Sequence, residues 1–172
     1  MIQFRQTLEY LMSAGVDFII VGGVAASLHG SSHATFDLDV CYSRESASLE
    51  KLGKALIAIN ARLRNAPPGL PFKPDAETLR RGLNFTFETD LGTLDLLGEI
   101  AGVGTFAQAV SEAEKVELFS ITYRVLSLPQ LIAAKRAAGR TKDLLVLPEL
   151  EALREIKEAT QGSQHRDSQD QS

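Results

Sequence analysis

The chain has 172 residues, a net charge of −4 and 44% hydrophobic residues, a composition that fits one globular domain with a substantial core. Its acidic balance supplies no general attraction to nucleic acid or anionic membranes, so such binding would need a local basic patch. The single Cys41 excludes an intramolecular disulfide and a CxxC-type zinc site. Because the sequence contains neither a membrane-length apolar run nor a signal-peptide pattern, we expect a cytoplasmic protein with no membrane partner.

Hydrophobic periodicity and turn residues predict alternating helices and strands. The predicted helices are, in chain order, 4–12, 24–29, 43–63, 105–113, 127–138 and 140–159, with a restart at Pro148. The predicted strands are 17–21, 35–42, 83–88, 93–97 and 116–125. Because a strand–helix–strand unit is followed by a hairpin, we expect an α/β (α+β) fold with a mixed sheet flanked by helices.

Two segments interrupt this pattern. Residues 64–76 contain four prolines and a glycine, which predicts a connecting loop. Residues 160–172 contain no aliphatic or aromatic side chain, which predicts a disordered tail. We therefore expect a core over residues 1–125, a helical segment packed on it over 126–159, and a tail over 160–172.

Two aspartates share one face of the strand predicted at 35–42. Alternation places Asp37 and Asp39 on the side opposite Leu38 and Val40. Two carboxylates this close repel each other unless a cation or basic groups lie between them. They therefore indicate a cation site, and the alternative is a solvent-facing edge strand whose polar face happens to hold two acids.

A pair of glycines, Gly22-Gly23, separates the first predicted strand from the helix that follows. Glycine permits close approach of the backbone to a ligand, and the start of a helix offers free N–H groups to a phosphate. The alternative is a tight turn that requires a positive φ. The pair matches neither GxGxxG nor GxxxxGK, which excludes a Rossmann or P-loop motif.

A third acid, Asp95, lies between apolar residues in the second strand of the predicted hairpin and shares a face with Thr93. If Leu91-Gly92 forms the two-residue turn, Glu88 lies opposite Asp95 and adds another acid to the same face. Facing acids destabilise a sheet, so a cation or a basic side chain is expected nearby.

These motifs, together with a later basic segment, resemble a known family. The matching residues are VGGVAA at 21–26, HG at 29–30, TFDLDV at 35–40 and LIAAKRAAGRTKD at 131–143. They resemble the nucleotidyltransferase superfamily of the DNA polymerase β type. Within it, they are similar to small bacterial proteins related to the AbiEii and MenT toxins of type IV toxin–antitoxin systems. The resemblance extends over roughly 16–143.

The resemblance implies the nucleotidyltransferase fold and a metal-dependent transfer of a nucleoside monophosphate from an NTP to an acceptor. Asp37 and Asp39 would hold two Mg²⁺ (or Mn²⁺) ions, and Asp95 would complete the second site and help to deprotonate the attacking hydroxyl. Gly22 and Gly23 would bind the β and γ phosphates through their N–H groups. Magnesium prefers hard oxygen ligands, which agrees with this set.

Four cations, Lys135, Arg136, Arg140 and Lys142, lie close together in an otherwise acidic chain. The resemblance implies that Lys135, Arg140 and Lys142 contact the nucleotide, whereas the alternative is a solvated helix face. Asp143 is expected either to orient Lys135 or Arg140 or to take part in catalysis, with a plain surface acid as the alternative.

Two histidines flank Gly30 near the predicted site. Since magnesium disfavours imidazole, His29 and His33 are expected to have structural or substrate-contacting roles. His33 also stands where many relatives have an arginine, which places a phosphate contact there in doubt.

Three functions remain open at this point. The first is a toxin-like nucleotidyltransferase that acts on RNA, tRNA especially, or on protein, with a possible cognate toxin or antitoxin partner. The second is the modification of a small hydroxylated compound such as an antibiotic. The third is a nucleotide-binding or antitoxin-like module without turnover.

Overall fold

The computed structural model describes residues 4–67 and 69–169, with side chains up to residue 160. Its helices are α1 (Arg5–Ser13), α2 (Gly22–Leu28), α3 (Ser46–Ala58), α4 (Ala76–Arg81), α5 (Phe106–Ala109), α6 (Leu128–Ala138) and α7 (Thr141–Gln169). Its strands are β1 (Phe18–Ile20), β2 (Leu38–Tyr42), β3 (Arg62–Leu63), β4 (Asn84–Thr89), β5 (Gly92–Leu97), β6 (Glu99–Ile100), β7 (Gly104–Thr105), β8 (Glu114–Leu118) and β9 (Ile121–Val125).

Seven of the strands form one sheet in the order β3-β4-β5-β2-β1-β9-β8, and β6 and β7 form a separate two-stranded sheet. The pairs β2–β5 and β1–β9 are parallel, whereas the other pairs of the large sheet are antiparallel. The predicted mixed sheet with flanking helices is therefore confirmed. Because β2 and β5 are parallel neighbours, residues distant in sequence lie side by side at the centre of the sheet.

The hydrophobic core lies between this sheet and the helices that cover it. Strand residues such as Ile19 and Val40 are buried together with Leu8 of α1, Leu52 of α3 and Leu150 of α7. Burial of such side chains stabilises a fold by about 1.5–3 kcal/mol each. None of the helices in the described part of the chain is long and apolar enough to cross a membrane.

Several boundaries differ from the sequence prediction in the middle of the chain. Strand β2 begins at Leu38 rather than Thr35, and Phe36 is 81% exposed. Helix α3 ends at Ala58 rather than Leu63, because Asn60 adopts a positive φ and β3 then pairs with β4. The predicted loop at 64–76 is followed by the unpredicted α4, which Asp75 caps by accepting a hydrogen bond from the Thr78 N–H.

The register of the β4–β5 hairpin differs by one turn position. Its two-residue turn is Asp90-Leu91, so that Thr89 pairs with Gly92 and Glu88 pairs with Thr93. Thr86, not Glu88, lies opposite Asp95, and the prediction for Glu88 is wrong. Gly92, the residue after the turn, has φ +113°, a conformation that glycine adopts without steric cost.

The predicted helix at 105–113 shrinks to the single turn α5, and the β-prone stretch at 116–125 forms the hairpin of β8 and β9. The hairpin turn is Phe119-Ser120, in which both residues have positive φ. Two consecutive positive φ values match the right-handed twist of the adjoining strands. This turn was not predictable from residue type, because neither residue is Gly, Asn or Asp.

The C-terminal segment begins as predicted and ends differently. Ser127 and Gln130 form a capping box at the start of α6, and Gly139 ends the helix with a left-handed φ of +63°. Helix α7 continues through Pro148 without a restart. It extends to Gln169, where the composition predicts disorder from Thr160, because an established helix elongates at little cost. Residues 170–172 of the predicted tail lie outside the described residues.

Candidate nucleotide and metal site

The three predicted acids meet at the centre of the large sheet. Asp39 of β2 and Asp95 of β5 are direct partners in the parallel register. Asp37 lies one residue before β2, and all three line the same cavity. The parallel pairing of β2 with β5 thus brings together carboxylates that are more than fifty residues apart in sequence.

The two glycines form the floor of the site beneath these acids. Gly22 has φ +62°, and a Cβ there would lie 2.1 Å from Oδ2 of Asp39. At Gly23 a Cβ would lie 2.6 Å from Oγ1 of Thr35. Both positions are also the first residues of α2, so the turn predicted there is the start of the helix itself. Any larger residue would push Asp39 or Thr35 out of place.

Asp37 is held by two donors on one oxygen. Its Oδ1 accepts hydrogen bonds from Nη2 of Arg64 at 2.9 Å and from Oγ1 of Thr93 at 3.0 Å. The Arg64 guanidinium, with Thr93, lowers the pKa of Asp37 despite its partial burial. Arg64 lies in the segment predicted to be a loop and directly follows β3, which was not predicted, so no sequence signal indicates this contact.

Asp39 and Asp95 have the opposite electrostatic environment. Burial, reinforced by the charges of Asp95 and Asp37, raises the pKa of Asp39 to about 6. Burial also raises the pKa of Asp95, although Arg64 partly offsets this. Asp95 Oδ1 is buried without a hydrogen-bond partner. Ionised acids with an unsatisfied oxygen are costly in a protein interior unless a cation compensates them.

These residues fit a divalent hard cation. Mg²⁺ or Mn²⁺ would give the unpartnered Asp95 Oδ1 a ligand and would favour the charged form of Asp39, whose pKa is raised. Both ions prefer oxygen ligands, which all three carboxylates supply. Among the side chains that the structure describes, up to residue 160, no three of His, Cys, Asp or Glu are grouped closely enough to form a metal centre.

The basic segment borders the same cavity. Asp143 is fully buried and accepts hydrogen bonds from Nζ of Lys135 at 2.8 Å and from Nε of Arg140 at 2.5 Å. Burial would raise the pKa of Asp143, but its bonds to Arg140 and Lys135 outweigh burial and lower it. Asp143 thus contacts both cations that it was expected to orient, and its role stays a prediction. Lys142 makes no ion pair within the described part of the chain, and its charge acts on Asp37.

The predicted acids, glycines and cations border one cavity of about 400 Å³, a volume in the range of small-molecule sites. Its charged and polar lining residues are His33, Thr35, Asp37, Asp39, Asp95, Lys135, Arg140, Lys142 and Asp143, and Gly22 and Gly23 line it as well. Arg136 of the basic segment points elsewhere, since it pairs with Glu151 on α7. Glu88, as described above, does not face Asp95.

His29 contacts the backbone, whereas His33 both contacts Glu149 and lines the cavity. Nε2 of His29 lies 2.8 Å from the backbone oxygen of Leu126. Nδ1 of His33 lies 2.8 Å from Oε2 of Glu149, and Ser31 and Ser32 bind the same carboxylate. These donors lower the pKa of Glu149 to about 2. Glu149 has no recognisable sequence signal, because it lies over a hundred residues from its partners.

The fold is that of the nucleotidyltransferases, as comparison with solved structures shows. The lincomycin-bound crystal structure of the lincosamide antibiotic adenylyltransferase LnuA is 12% identical, with a TM-score of 0.56 over 88% of this chain and 96% of that one. The solution structure of the antibiotic-resistance factor ANT(2'')-Ia is 14% identical, with a TM-score of 0.53 over 97% and 95% of the two chains. No family model and no curated protein matches the chain.

A second structure of ANT(2'')-Ia, in complex with adenylyl-2''-tobramycin, is 15% identical with a TM-score of 0.51. The aligned region covers 89% of this chain and 93% of that one. At such low identities the similarity establishes the fold. The resemblance to the AbiEii and MenT toxins has no counterpart among these structures.

Proposed function

We propose that the protein is a metal-dependent nucleotidyltransferase that moves a nucleoside monophosphate from an NTP to an acceptor hydroxyl and releases pyrophosphate. One observation carries this proposal. Asp37, Asp39 and Asp95 converge over Gly22 and Gly23 in one cavity, and Asp39 occupies the space that a Cβ on Gly22 would fill. The nucleotidyltransferase fold of the chain supports the same conclusion.

The acids have distinct tasks in this proposal. Asp37, Asp39 and Asp95 would hold the Mg²⁺ or Mn²⁺ ions, which would polarise the reacting phosphate and compensate its charge. We also assign to Asp95 the acceptance of the proton of the attacking hydroxyl. The oxygen of the acceptor attacks the α phosphorus, and the bond to the pyrophosphate oxygen breaks.

The glycines and cations bind the triphosphate. The N–H groups of Gly22 and Gly23 are at the start of α2, and a backbone without Cβ lets phosphate approach them. Lys135 and Arg140 offset the phosphate charge from the basic segment, where Asp143 fixes their positions. Lys142 adds a third cation in the same segment.

We favour a small hydroxylated compound as the acceptor. RNA binding needs many cations spread along the phosphate backbone. The basic segment offers only a small cluster, in which Arg136 pairs with Glu151, and Lys135 and Arg140 share Asp143. LnuA and ANT(2'')-Ia are antibiotic-modifying or antibiotic-resistance proteins by name, which favours the same class. The competing acceptors are RNA, tRNA especially, or a protein, which would suit a toxin with a cognate partner.

The decisive experiment incubates the purified protein with each α-³²P-labelled NTP and Mg²⁺. Parallel reactions contain a panel of hydroxylated antibiotics, total bacterial RNA or lysate protein, and Asp37→Asn is the matched inactive control. We expect label on a small molecule with the wild-type protein alone. Label on RNA or protein would show that the acceptor is one of these macromolecules and not a small compound. If no acceptor is labelled, the protein would be a nucleotide-binding module without transferase activity.

A further inference from the structure

The segment between α2 and β2 depends on a single side chain of α7. Glu149 accepts hydrogen bonds from Oγ of Ser31 at 2.6 Å, and from the backbone N–H and Oγ of Ser32, each at 2.8 Å. Nδ1 of His33 completes the set at 2.8 Å from Oε2, the oxygen that Ser31 also binds, whereas Ser32 binds Oε1. We call Ser31, Ser32 and His33 the strap segment. Each Glu149 oxygen thus receives two donors.

These contacts connect elements that are far apart in sequence. The strap segment precedes Ala34, Thr35 and Asp37, which line the cavity. Thr35 packs over Gly23, and its hydroxyl donates to the backbone oxygen of Asp37. Any displacement of the strap segment therefore reaches Asp37 within four residues, before the regular hydrogen bonds of β2 begin.

The same helix also holds two of the basic residues that line the cavity. Asp143, almost two turns before Glu149 on α7, binds Lys135 and Arg140. Val146, between the two acids, and Leu150, directly after Glu149, are both buried in the core. Helix α7 is thus anchored by packing. Its Asp143 binds two cations that line the cavity, and its Glu149 binds the strap segment, which leads to Asp37.

We infer that Glu149 is a positioning residue that fixes the Asp37-bearing segment against α7 and so sets the spacing between the acidic and basic walls of the site. This inference rests on the proposed function, because it concerns the same metal and nucleotide site. Glu149 itself touches neither metal nor nucleotide, since all of its acceptor capacity is directed to the strap segment. Its substitution should act through geometry.

The test compares wild type, Glu149→Ala and Glu149→Gln. Hydrogen exchange measured by mass spectrometry reports the backbone of residues 31–37, and electron paramagnetic resonance titration with Mn²⁺ alone reports metal affinity. For Glu149→Ala we expect faster exchange in this segment and Mn²⁺ affinity weakened about tenfold, because small displacements of ligands have large effects. Glu149→Gln keeps one acceptor oxygen and should restore part of both losses.

Glu151→Ala is the matched control. Glu151 lies on the same helix and pairs with exposed Arg136, away from the strap segment. Glu151→Ala should leave hydrogen exchange at 31–37 and Mn²⁺ affinity unchanged. The melting temperature of each variant reports any general loosening of α7. A purely structural Glu149 would lower the melting temperature without changing Mn²⁺ affinity in the folded protein.

The outcomes separate the two proposals. Unchanged exchange at 31–37 in Glu149→Ala, or Mn²⁺ affinity equal to or above that of the wild type, overturns the positioning role. If wild type binds no Mn²⁺, the metal site of the proposed function fails. Faster exchange in Glu149→Ala would then show only that Glu149 holds residues 31–37 in place, and its positioning role for the metal site would be overturned as well.

Discussion

At the scale of single residues, Asp39 lies in an environment that opposes its own charge. Burial and the neighbouring Asp95 and Asp37 raise its pKa from 3.8 to about 6. In the folded chain this carboxyl binds its proton more tightly than in the unfolded chain. Folding is therefore favoured at pH values below about 4, and this contribution is lost as the pH rises through about 6.

Asp39→Asn should consequently stabilise the metal-free protein at pH 8. The rise in the pKa of Asp39 from 3.8 to about 6 corresponds to about 3 kcal/mol in the free energy of unfolding. The stability advantage of Asp39→Asn over the wild type should therefore shrink to near zero at pH 4. Urea denaturation in EDTA at both pH values measures it. Asp37→Asn is the contrasting variant, because the pKa of Asp37 is lowered and its neutralisation should destabilise the fold. An Asp39→Asn protein less stable than wild type at pH 8 would contradict this account.

Gly22 offers a test of the close approach beneath Asp39. Gly22→Ala should retain the fold with a loss of about 1–2 kcal/mol from the left-handed backbone, but lose nucleotidyl transfer by about a hundredfold or more. The loss follows because the new Cβ collides with Asp39 Oδ2. Circular dichroism melting and labelled-NTP transfer give the two values.

Gly15→Ala is the matched control for this variant. Gly15 has a similar φ of +69°, and a Cβ there meets only the Lys51 side chain at 3.7 Å. Its melting temperature should fall by a comparable amount while its transfer activity stays at the wild-type level. Equal activity losses in both variants would show that backbone strain alone explains Gly22→Ala.

Single residues also show what the sequence allows one to predict. Strict alternation places Asp37, Asp39 and Asp95 on polar faces, and apolar neighbours make that placement robust. Arg64 and Glu149 escape prediction because their roles depend on contacts across 27 and more than a hundred residues. Local patterns identify the chemistry that a strand presents, but they do not identify the side chains that other elements bring to it.

At the scale of elements, the joint between α6 and α7 positions the basic wall. Asp143 is fully buried, and it binds one cation from α6 and one from the turn before α7. Removal of a buried charge partner leaves the remaining charges uncompensated, whereas exposed ion pairs contribute little. The stability of this joint should therefore depend on Asp143 far more than on the exposed pairs nearby.

Asp143→Asn should lower the free energy of unfolding by about 2 kcal/mol and weaken nucleotide affinity, because Lys135 and Arg140 lose their fixed positions. Urea denaturation and calorimetric titration with Mg²⁺ and a non-hydrolysable NTP analogue measure the two effects. Glu151→Gln, which breaks the exposed pair with Arg136, should change neither by more than experimental error. Wild-type stability in Asp143→Asn would refute the role of this joint.

Elements were predicted better than their pairing. The helix start at Ser127 and its end at Gly139 follow from local capping rules. The hairpin register does not, because Asp90-Leu91 and Leu91-Gly92 are both two-residue turns and only the pairing selects between them. The helix after Thr160 likewise depends on its continuity with α7, which the composition of the tail does not show.

At the scale of the whole molecule, sheet order creates the site. The order β5-β2-β1 places Asp95 beside Asp39 and the start of α2 next to both. The mixed sheet itself was predictable from the order of elements, whereas the parallel pairing of β2 with β5 is a long-range contact. Because the acids of the candidate site repel one another in the absence of a cation, their arrangement lowers the stability of the fold.

The most direct test of this account is a crystal structure of the protein with Mn²⁺ and a non-hydrolysable NTP analogue, in which anomalous scattering locates the metal. We expect an anomalous peak among the carboxylates of Asp37, Asp39 and Asp95, with the phosphates against Gly22 and Gly23 and within reach of Lys135. A peak elsewhere, or a nucleotide bound away from these glycines, would contradict the proposed function.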